Sequence, residues 1–193
     1  MKSIYLILTC SCTAISRIIR TFTGDSYTHA SLAFGDDLHT MYSFSRKYPT
    51  LPLPAGFREE YTNGKFYRLQ GNIPCVIMRK TVSNREYYRL KNSIYNMQCR
   101  ADEYKYSLIG LLLCSFGIPL ERKKRCFCSQ FVARILRDNG IVSLPKPPSL
   151  MHPADFLGLS GFETVYSGGF SDWNSIIMRE NTYRLPHLEK IHA

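Results

Sequence analysis

The stretch RCFCSQFVARIL, residues 125–136, constrains the fold more than any other part of the chain. Its apolar residues recur at helical spacing, and they are Phe131, Val132, Ile135 and Leu136. Asn139–Gly140 then supplies a left-handed stop to the helix. Cys128 is therefore expected in the first turn, where free backbone N–H groups and the helix dipole stabilise a thiolate. A cysteine in that position is either a nucleophile or a residue that happens to lie there.

The composition and charge indicate a folded domain with a preference for acidic partners. With 193 residues, 45% of them hydrophobic, the chain can bury a substantial core. Its net charge of +10 favours nucleic acid, anionic lipid or an anionic cell-wall polymer as a partner. A solvated basic face is the simpler interpretation. Since no aromatic and basic stacking motif of the RNA-binding kind is present, no nucleic-acid partner is expected.

The cysteine pattern points to reduced thiols. Seven cysteines are present, and an odd number excludes complete pairing within one chain. Their spacing is unlike that of a small secreted scaffold, so we expect a cytoplasmic setting. The pairs CSC at 10–12 and CFC at 126–128 have one intervening residue, whereas structural zinc prefers two or more. No metal and no cofactor are therefore expected.

Two apolar segments suggest a membrane interpretation that their lengths do not support. The N-terminal run in MKSIYLILTCSC covers only about seven residues and has no obvious signal-peptide cleavage motif. The segment SLIGLLLCSFGI at 107–118 is far shorter than the roughly 20 residues that span a bilayer. We expect a buried first strand at the N-terminus and no transmembrane segment.

The order of the remaining segments predicts an α+β domain over 1–170 and a peripheral C-terminal tail over 171–193. Strands are predicted at 3–8, 27–34, 38–44, 65–70, 75–81 and 162–168. Helices are predicted at 13–22, 84–99, 106–117 and from 128 onward. Ser83 and Glu86 form a capping box for the second of these helices. The Pro-rich stretch 46–57 is predicted to be a loop that can line a site.

A thiol nucleophile needs a base to hold its proton and a third polar group to orient that base. Of the five histidines, His187 and His192 fall in the tail and His152 follows a Pro-rich stretch. His29 lies in a predicted strand, which is a rigid platform for a catalytic base. The alternative is that His29 merely satisfies a hydrogen bond at a strand end.

Segments THASLAFGDDLHTMYSFSRK and FCSQFVARIL together resemble the permuted NlpC/P60 group, which has a circularly permuted papain-like fold. The group includes lecithin:retinol acyltransferase-like proteins and YiiX-like bacterial amidase relatives. The resemblance is closest to small Firmicutes members of the group. It extends over residues 3–170 through further segments in the same order: IYLILT, MYSF, AGFREE, YKYSLIGLLL, GIPLER and KPPSLMHPADF.

The resemblance implies a particular site and fold. Cys128 matches the family nucleophile and His29 the family base, so Cys126 is only a neighbour. The implied fold is a small antiparallel sheet packed against the helix that carries the cysteine. The implied chemistry is hydrolysis or transfer of an acyl group through a thioester. Relatives act on peptide amides, cell-wall peptides or lipid esters.

The third catalytic residue departs from the family pattern. In the family it is His, Glu, Gln or Asn on the strand after the histidine, and that place falls near Thr40 or Met41 here. Thr40 is the candidate orienting residue, although it accepts a hydrogen bond without carrying charge. His39 and Ser43 are close in sequence. Glu60 can reach in from the predicted loop. A neutral orienting residue predicts a slow or inactive copy.

Two further features precede Cys128 in the chain. Tyr104 and Tyr106 come before the apolar helix, and we expect them to pack in the core or at the rim of the cleft. The basic run 122–125 lies just before the cysteine. Its field favours the thiolate, and the same residues are equally suited to contact an anionic partner.

Two classes of function follow from these features. The leading one is a thiol hydrolase or acyltransferase acting on an amide or ester of a peptide, small molecule or lipid. In it Cys128 attacks a carbonyl, His29 carries the proton, and N–H groups at the helix start stabilise the oxyanion. The alternative is a catalytically weak or inactive binding module with a basic face for anionic lipid or cell-wall polymer. An acid at the orienting position would favour the enzyme, and Thr40 leaves both classes open.

Overall fold

The structure is a computed structural model, and it describes residues 1–10, 20, 24, 26–35, 37–48, 51 and 53–176. Apart from Arg20, the helix predicted at 13–22 lies outside the described residues, and so does the chain from residue 177 onward, with His187 and His192. The fold is built from the remaining segments.

Those segments form one eight-stranded sheet with helices on both faces, which confirms the predicted α+β class. The strands are β1 (Lys2–Thr9), β2 (His29–Phe34), β3 (Asp37–Arg46), β4 (Ala55–Tyr61), β5 (Pro74–Val82), β6 (Lys105–Tyr106), β7 (Arg125–Cys126) and β8 (Glu163–Gly169). The α-helices are α1 (Lys65–Gln70), α2 (Asn84–Gln98), α3 (Leu108–Ser115) and α4 (Cys128–Asp138), and residues 170–176 are also helical. Three short 3-10 turns lie at Ala101–Glu103, Pro148–Leu150 and Pro153–Gly158.

The strand order is β7-β6-β4-β3-β2-β1-β5-β8. All neighbouring strands pair antiparallel except β6 and β7, which pair parallel. The apolar first strand therefore lies inside the sheet, between β2 and β5, as expected of a buried segment.

Helix α4 packs over β2 and β3 through the apolar stripe that its sequence predicts. Phe131 lies against Phe44 and Phe57, with ring centroids 5.3 Å and 5.5 Å away. Burial of large aromatic side chains contributes strongly to core packing, so this cluster fixes the helix on the sheet. Gly140, at φ +72°, ends the helix in the left-handed region, which confirms the predicted stop.

Helix α2 confirms the predicted capping box. The Ser83 hydroxyl accepts from the backbone N–H of Glu86 at 3.2 Å, and the Glu86 carboxylate accepts from the backbone N–H of Ser83 at 2.8 Å. The buried face of the helix includes Tyr87, Leu90 and Ile94, which join the core under α4.

Two local predictions are wrong, and both concern the region after β3. The segment 65–70 was predicted as a strand because it is rich in aromatic residues, but it is helix α1, and Tyr67 is its buried member. The predicted loop 46–57 is too long, because β4 begins at Ala55 and pairs with β3 along its whole length. Glu60 consequently lies on a strand of the sheet rather than at the end of a loop.

The second face of the sheet is covered by α1 and the helical segment 170–176. Tyr67 and Phe170 lie there with ring centroids 4.4 Å apart. Trp173 packs against the same cluster, and Asn174 accepts a hydrogen bond from the Thr62 hydroxyl at 2.9 Å. The first residues of the predicted tail thus contact the sheet.

Candidate active site

Cys128 occupies the first turn of α4, as its sequence predicts. Phe127 is the N-cap residue, so the backbone N–H groups that begin the helix are directed toward the cysteine. The thiol is buried, 3% exposed, and lies 4.0 Å from the carbonyl oxygen of Thr28. Backbone N–H groups of Ala30 and Ser129 hydrogen-bond the sulfur. This environment favours a thiolate, because each of these N–H groups donates to the charged form.

His29 opens β2 beside the cysteine. Its imidazole and the Cys128 thiol form a side-chain hydrogen bond. The Nε2 atom lies 3.2 Å from Oε2 of Glu60 and 3.1 Å from Oγ of Ser31. These contacts leave Nδ1 as the ring nitrogen available to the thiol.

Glu60 is the carboxylate of the site. Its Oε2 accepts hydrogen bonds from the hydroxyls of Ser31 and Tyr67, each at 3.1 Å, in addition to its contact with His29. The side chain is only 12% exposed. Burial alone would raise the pKa of this carboxyl, but the charge and hydrogen bond of His29 outweigh burial and lower the pKa to about 2. Glu60 is therefore ionised at neutral pH.

The ionised carboxylate sets the protonation state of its neighbours. Burial opposes protonation of His29, yet Glu60 and Cys128 together raise the pKa of its imidazole to about 10. Burial likewise opposes ionisation of Cys128, but the hydrogen bond and charge of His29 lower the pKa of the thiol below its ordinary value. The pair is thus stable as thiolate and imidazolium around neutral pH.

Tyr106 completes the surroundings of the sulfur. Its hydroxyl is hydrogen-bonded to Cys128. Burial and the nearby thiolate raise the pKa of this phenol well above its ordinary value. The hydroxyl therefore stays neutral and can donate to an anion next to the sulfur. From the sequence, Tyr106 is expected only to pack in the core or at the rim of the cleft.

A narrow cleft reaches Cys128, and its free volume of about 10 Å³ is roughly that of a single water molecule. Its lining residues are Thr28, Leu111, Cys114, Ser115, Phe127, Cys128, Ser129, Met151, His152 and Pro153. The backbone N–H of His152 donates to Oδ2 of Asp155 at 2.6 Å, and Nε2 of His152 lies 3.5 Å from the Cys114 sulfur.

The structure brings Cys128 and His29 together and adds Glu60 as the group on His29 Nε2. Thr40 lies on β3 opposite Tyr61, one residue from Glu60 on β4. The predicted orienting position and the observed carboxylate are therefore on neighbouring strands. The period-two alternation of residues in β4 is the sequence signal that Glu60 lies on a strand. The prolines before β4 favour a loop and obscured that signal.

The residues near Cys128 in sequence behave differently from it. Cys126 is buried beside Arg134, and burial raises the pKa of its thiol to about 11. The basic run 122–125 is exposed, and the leading causes of the lowered Cys128 pKa are His29 and backbone N–H groups instead. His39 is turned to Thr62, 3.3 Å from its hydroxyl, rather than to the cysteine.

Within the described part of the chain, no group of three His, Cys, Asp or Glu side chains is placed to hold a metal ion. In the same residues no helix has the length and apolar character needed to cross a bilayer. A comparison with models of known protein families finds none that matches this chain, and no curated protein matches it. The geometry of the site therefore carries the functional argument.

Proposed function

We propose that this chain is a cysteine hydrolase or acyltransferase of the circularly permuted papain-like type, acting on an amide or ester through a thioester. The proposal rests on one observation: the buried side chains of Cys128, His29 and Glu60 are hydrogen-bonded in series, with His29 in the middle. Each group has the environment that its role requires: a helix N-terminus for the thiolate, a strand for the imidazole, and an ionised carboxylate behind it. The strand-borne histidine precedes the helix-borne cysteine in the chain, which is the order of the permuted group.

The first half of the reaction is acylation of Cys128. The thiolate attacks the carbonyl carbon, and a carbon–sulfur bond forms as the carbonyl oxygen becomes an oxyanion. The bond from that carbon to the leaving nitrogen or oxygen then breaks. His29 gives its proton to the leaving group and becomes neutral, while Glu60 holds the ring in place. The product of this half is a thioester on Cys128.

The second half returns the site to its starting state. Neutral His29 takes a proton from water or from an acceptor hydroxyl or amine as that group attacks the thioester. The carbon–sulfur bond breaks, and the thiolate and imidazolium form again. Water gives hydrolysis and another acceptor gives acyl transfer, so the two activities share every residue of the site.

The oxyanion needs donors that are fixed before the reaction begins. The backbone N–H of Cys128 starts helix α4, and the neutral hydroxyl of Tyr106 lies beside the sulfur. In the proposed reaction both donate to the charge that develops on the carbonyl oxygen next to the sulfur. Tyr106 is thus the side-chain donor of the proposed oxyanion hole.

The binding-module alternative does not account for this core. A buried carboxylate and imidazole cost desolvation energy that a docking surface has no need to spend. Strongly shifted pKa values that act together on one cysteine at the end of a cleft are typical of a reactive site. The Glu60 carboxylate also removes the reason for expecting a slow copy, which was the uncharged Thr40.

Trapping the acyl-enzyme tests the proposal directly. The protein is mixed with p-nitrophenyl acetate, quenched in acid and analysed by intact mass and peptide mapping. We expect one acetyl group on Cys128, its loss in Cys128→Ala, and its removal by hydroxylamine as a thioester. Cys126→Ser is the matched control. The Cys126 thiol stays protonated in the wild type and should not react, so the variant without it should still be acetylated on Cys128. Acetylation of Cys126 and Cys128 at equal rates would disprove the proposed nucleophile.

A further inference from the structure

Helix α3 exposes an apolar surface that is not explained by the proposed chemistry. Leu108, Ile109 and Leu112 lie on its outer side, and Phe116 and Ile118 continue this surface past the end of the helix. Their exposed fractions run from 41% for Leu108 to 61% for Phe116. We call these five residues the α3 patch. A grouped apolar surface of this kind marks an interaction site more often than isolated exposed residues do.

The orientation of α3 is fixed by its buried side. Gly110 and Cys114 are the buried residues of the helix, one turn apart. A Cβ at Gly110 would lie 3.8 Å from the Phe127 ring, and the Cys114 sulfur lies 3.5 Å from Nε2 of His152, so this side of the helix packs against the rest of the chain. The apolar outer side is therefore held outward by the packing of the inner side.

The chain from 118 to 125, which includes the basic segment 121–125, runs back beside the patch. It begins at the C-terminal end of α3, where the Ile118 N–H donates to the Leu113 carbonyl at 2.9 Å. It ends beside the N-terminal end, where Arg125 pairs with Lys105 across β6 and β7. All residues from 121 to 125 are exposed.

The net charge of this segment is strongly positive. It contains Arg122, Lys123, Lys124 and Arg125. Glu121 is its one acid and is itself paired with Arg134 at 3.0 Å. Lys124 is paired with Glu103 outside the segment, so Arg122, Lys123 and Arg125 supply the excess positive charge. An outward apolar surface bordered by cations has the character of a protein surface that inserts shallowly into a bilayer and binds its anionic headgroups.

We propose that the α3 patch and the basic segment dock on the surface of an anionic lipid bilayer. Charge complementarity selects this occupant. A second copy of the chain related by a two-fold axis would bring two basic segments together, and a net charge of +10 on each chain would oppose that contact. Anionic headgroups neutralise the same cations, and the hydrocarbon boundary accepts the apolar side chains.

The docking surface also borders the candidate active site. Leu111, Cys114 and Ser115 of the same helix line the cleft that leads to Cys128. A docked helix therefore holds the cleft wall near the bilayer. Docking needs no chemistry at Cys128, so it can be tested in Cys128→Ala protein. Its outcome is therefore independent of the proposed activity.

Vesicle flotation measures the docking. Cys128→Ala protein is mixed with vesicles of phosphatidylcholine alone or with added phosphatidylglycerol. We expect flotation with the anionic vesicles only, decreasing as salt is raised. Leu112→Asp combined with Phe116→Asp should lower the affinity more than tenfold. Reversing two charges with Arg122→Glu and Lys123→Glu should lower it at least roughly 30-fold, because each cation contributes about fivefold.

Helix α1 supplies the matched control. It exposes Leu69, 59% accessible, with Lys65 and Arg68 on the same short helix. Leu69→Asp, and Lys65→Glu with Arg68→Glu, should leave flotation unchanged. Equal loss of flotation with the α1 variants, or equal flotation of all variants, would overturn the proposal.

Two further measurements test insertion and self-association. Phe116→Trp, in which the new indole replaces an exposed ring, should show a blue shift in fluorescence on adding anionic vesicles, whereas Leu69→Trp should not. Absence of that shift would count against insertion even if flotation occurred. Sedimentation velocity should show a monomer for the wild type. A dimer that Leu112→Asp dissociates would assign the patch to self-association instead.

Discussion

The Nε2 atom of His29 lies 3.2 Å from Oε2 of Glu60, although the two residues are 31 positions apart. They belong to β2 and β4, and β3 lies between these strands in the sheet. The carboxylate therefore reaches the imidazole across an intervening strand. Since both side chains are nearly buried, their charges act through a medium that screens them little. This contact determines the protonation state of the whole site.

Glu60→Gln removes that charge and keeps the shape of the side chain. The pKa of His29 should fall from about 10, and the pKa of Cys128 should rise because the imidazolium that stabilises its thiolate is lost. Acylation by p-nitrophenyl acetate at neutral pH should slow by about 10²–10⁴-fold, as when the orienting acid of a serine protease is replaced. Stopped-flow release of p-nitrophenol gives the rate.

Glu59→Gln is the matched control for this variant. Glu59 is the adjacent acid on β4 and hydrogen-bonds Tyr61 and Gln98 instead of the histidine. Its replacement should change the acylation rate less than about twofold. Thr40→Val separates the two candidate orienting residues. A large loss with Thr40→Val and a small one with Glu60→Gln would return the orienting role to Thr40.

His29→Ala should raise the pKa of Cys128, because the imidazolium is the strongest stabiliser of its thiolate. Alkylation by iodoacetamide near neutral pH should then slow by roughly tenfold or more, in proportion to the thiolate fraction. The reaction is followed by peptide mass spectrometry over a range of pH. Cys126→Ser should leave the alkylation of Cys128 unchanged. An unaltered rate in His29→Ala would mean that the two side chains do not couple in solution.

The pH dependence of acylation by an amide substrate, whose leaving nitrogen must take up a proton, should be bell-shaped. The rate rises with pH as Cys128 loses its proton, which occurs below the ordinary thiol value because its pKa is lowered. It falls as pH passes about 10, because His29 then loses the proton that the leaving group needs. Alkylation needs only the thiolate, so its profile should rise without the alkaline decline. Glu60→Gln should move that decline to lower pH.

Much of the fold could be predicted because its elements are locally consistent. Helix α4 carries an apolar stripe and a stop at Gly140, and α2 carries the capping box of Ser83 and Glu86. Local sequence and final structure agree in these helices, so periodicity was sufficient. Helix α1 was missed because the aromatic residues in 65–70 favour a strand on propensity alone. Packing of Tyr67 against the sheet overrides that preference.

The candidate site was only partly predictable, for a related reason. Cys128 and His29 each carry a local signal, one at a helix start and the other on a strand. The role of Glu60 depends on the register of β3 against β4, where it lies opposite Met41. Register is set by pairing and packing across the sheet. The sequence marked Glu60 as a group within reach, but not as the partner of His29.

Tyr106→Phe tests the proposed oxyanion donor. Removing the hydroxyl should lower kcat by roughly 10²-fold while changing KM little, because the donor acts on charge that develops in the transition state. The same change removes a hydrogen bond from the resting thiolate, so alkylation should slow as well, but by less. Tyr104→Phe is the control, since that ring packs against Phe44 and Phe57. If acylation and alkylation slow by the same factor, Tyr106 serves the thiolate alone and the side-chain donor of the oxyanion must be sought elsewhere in the cleft.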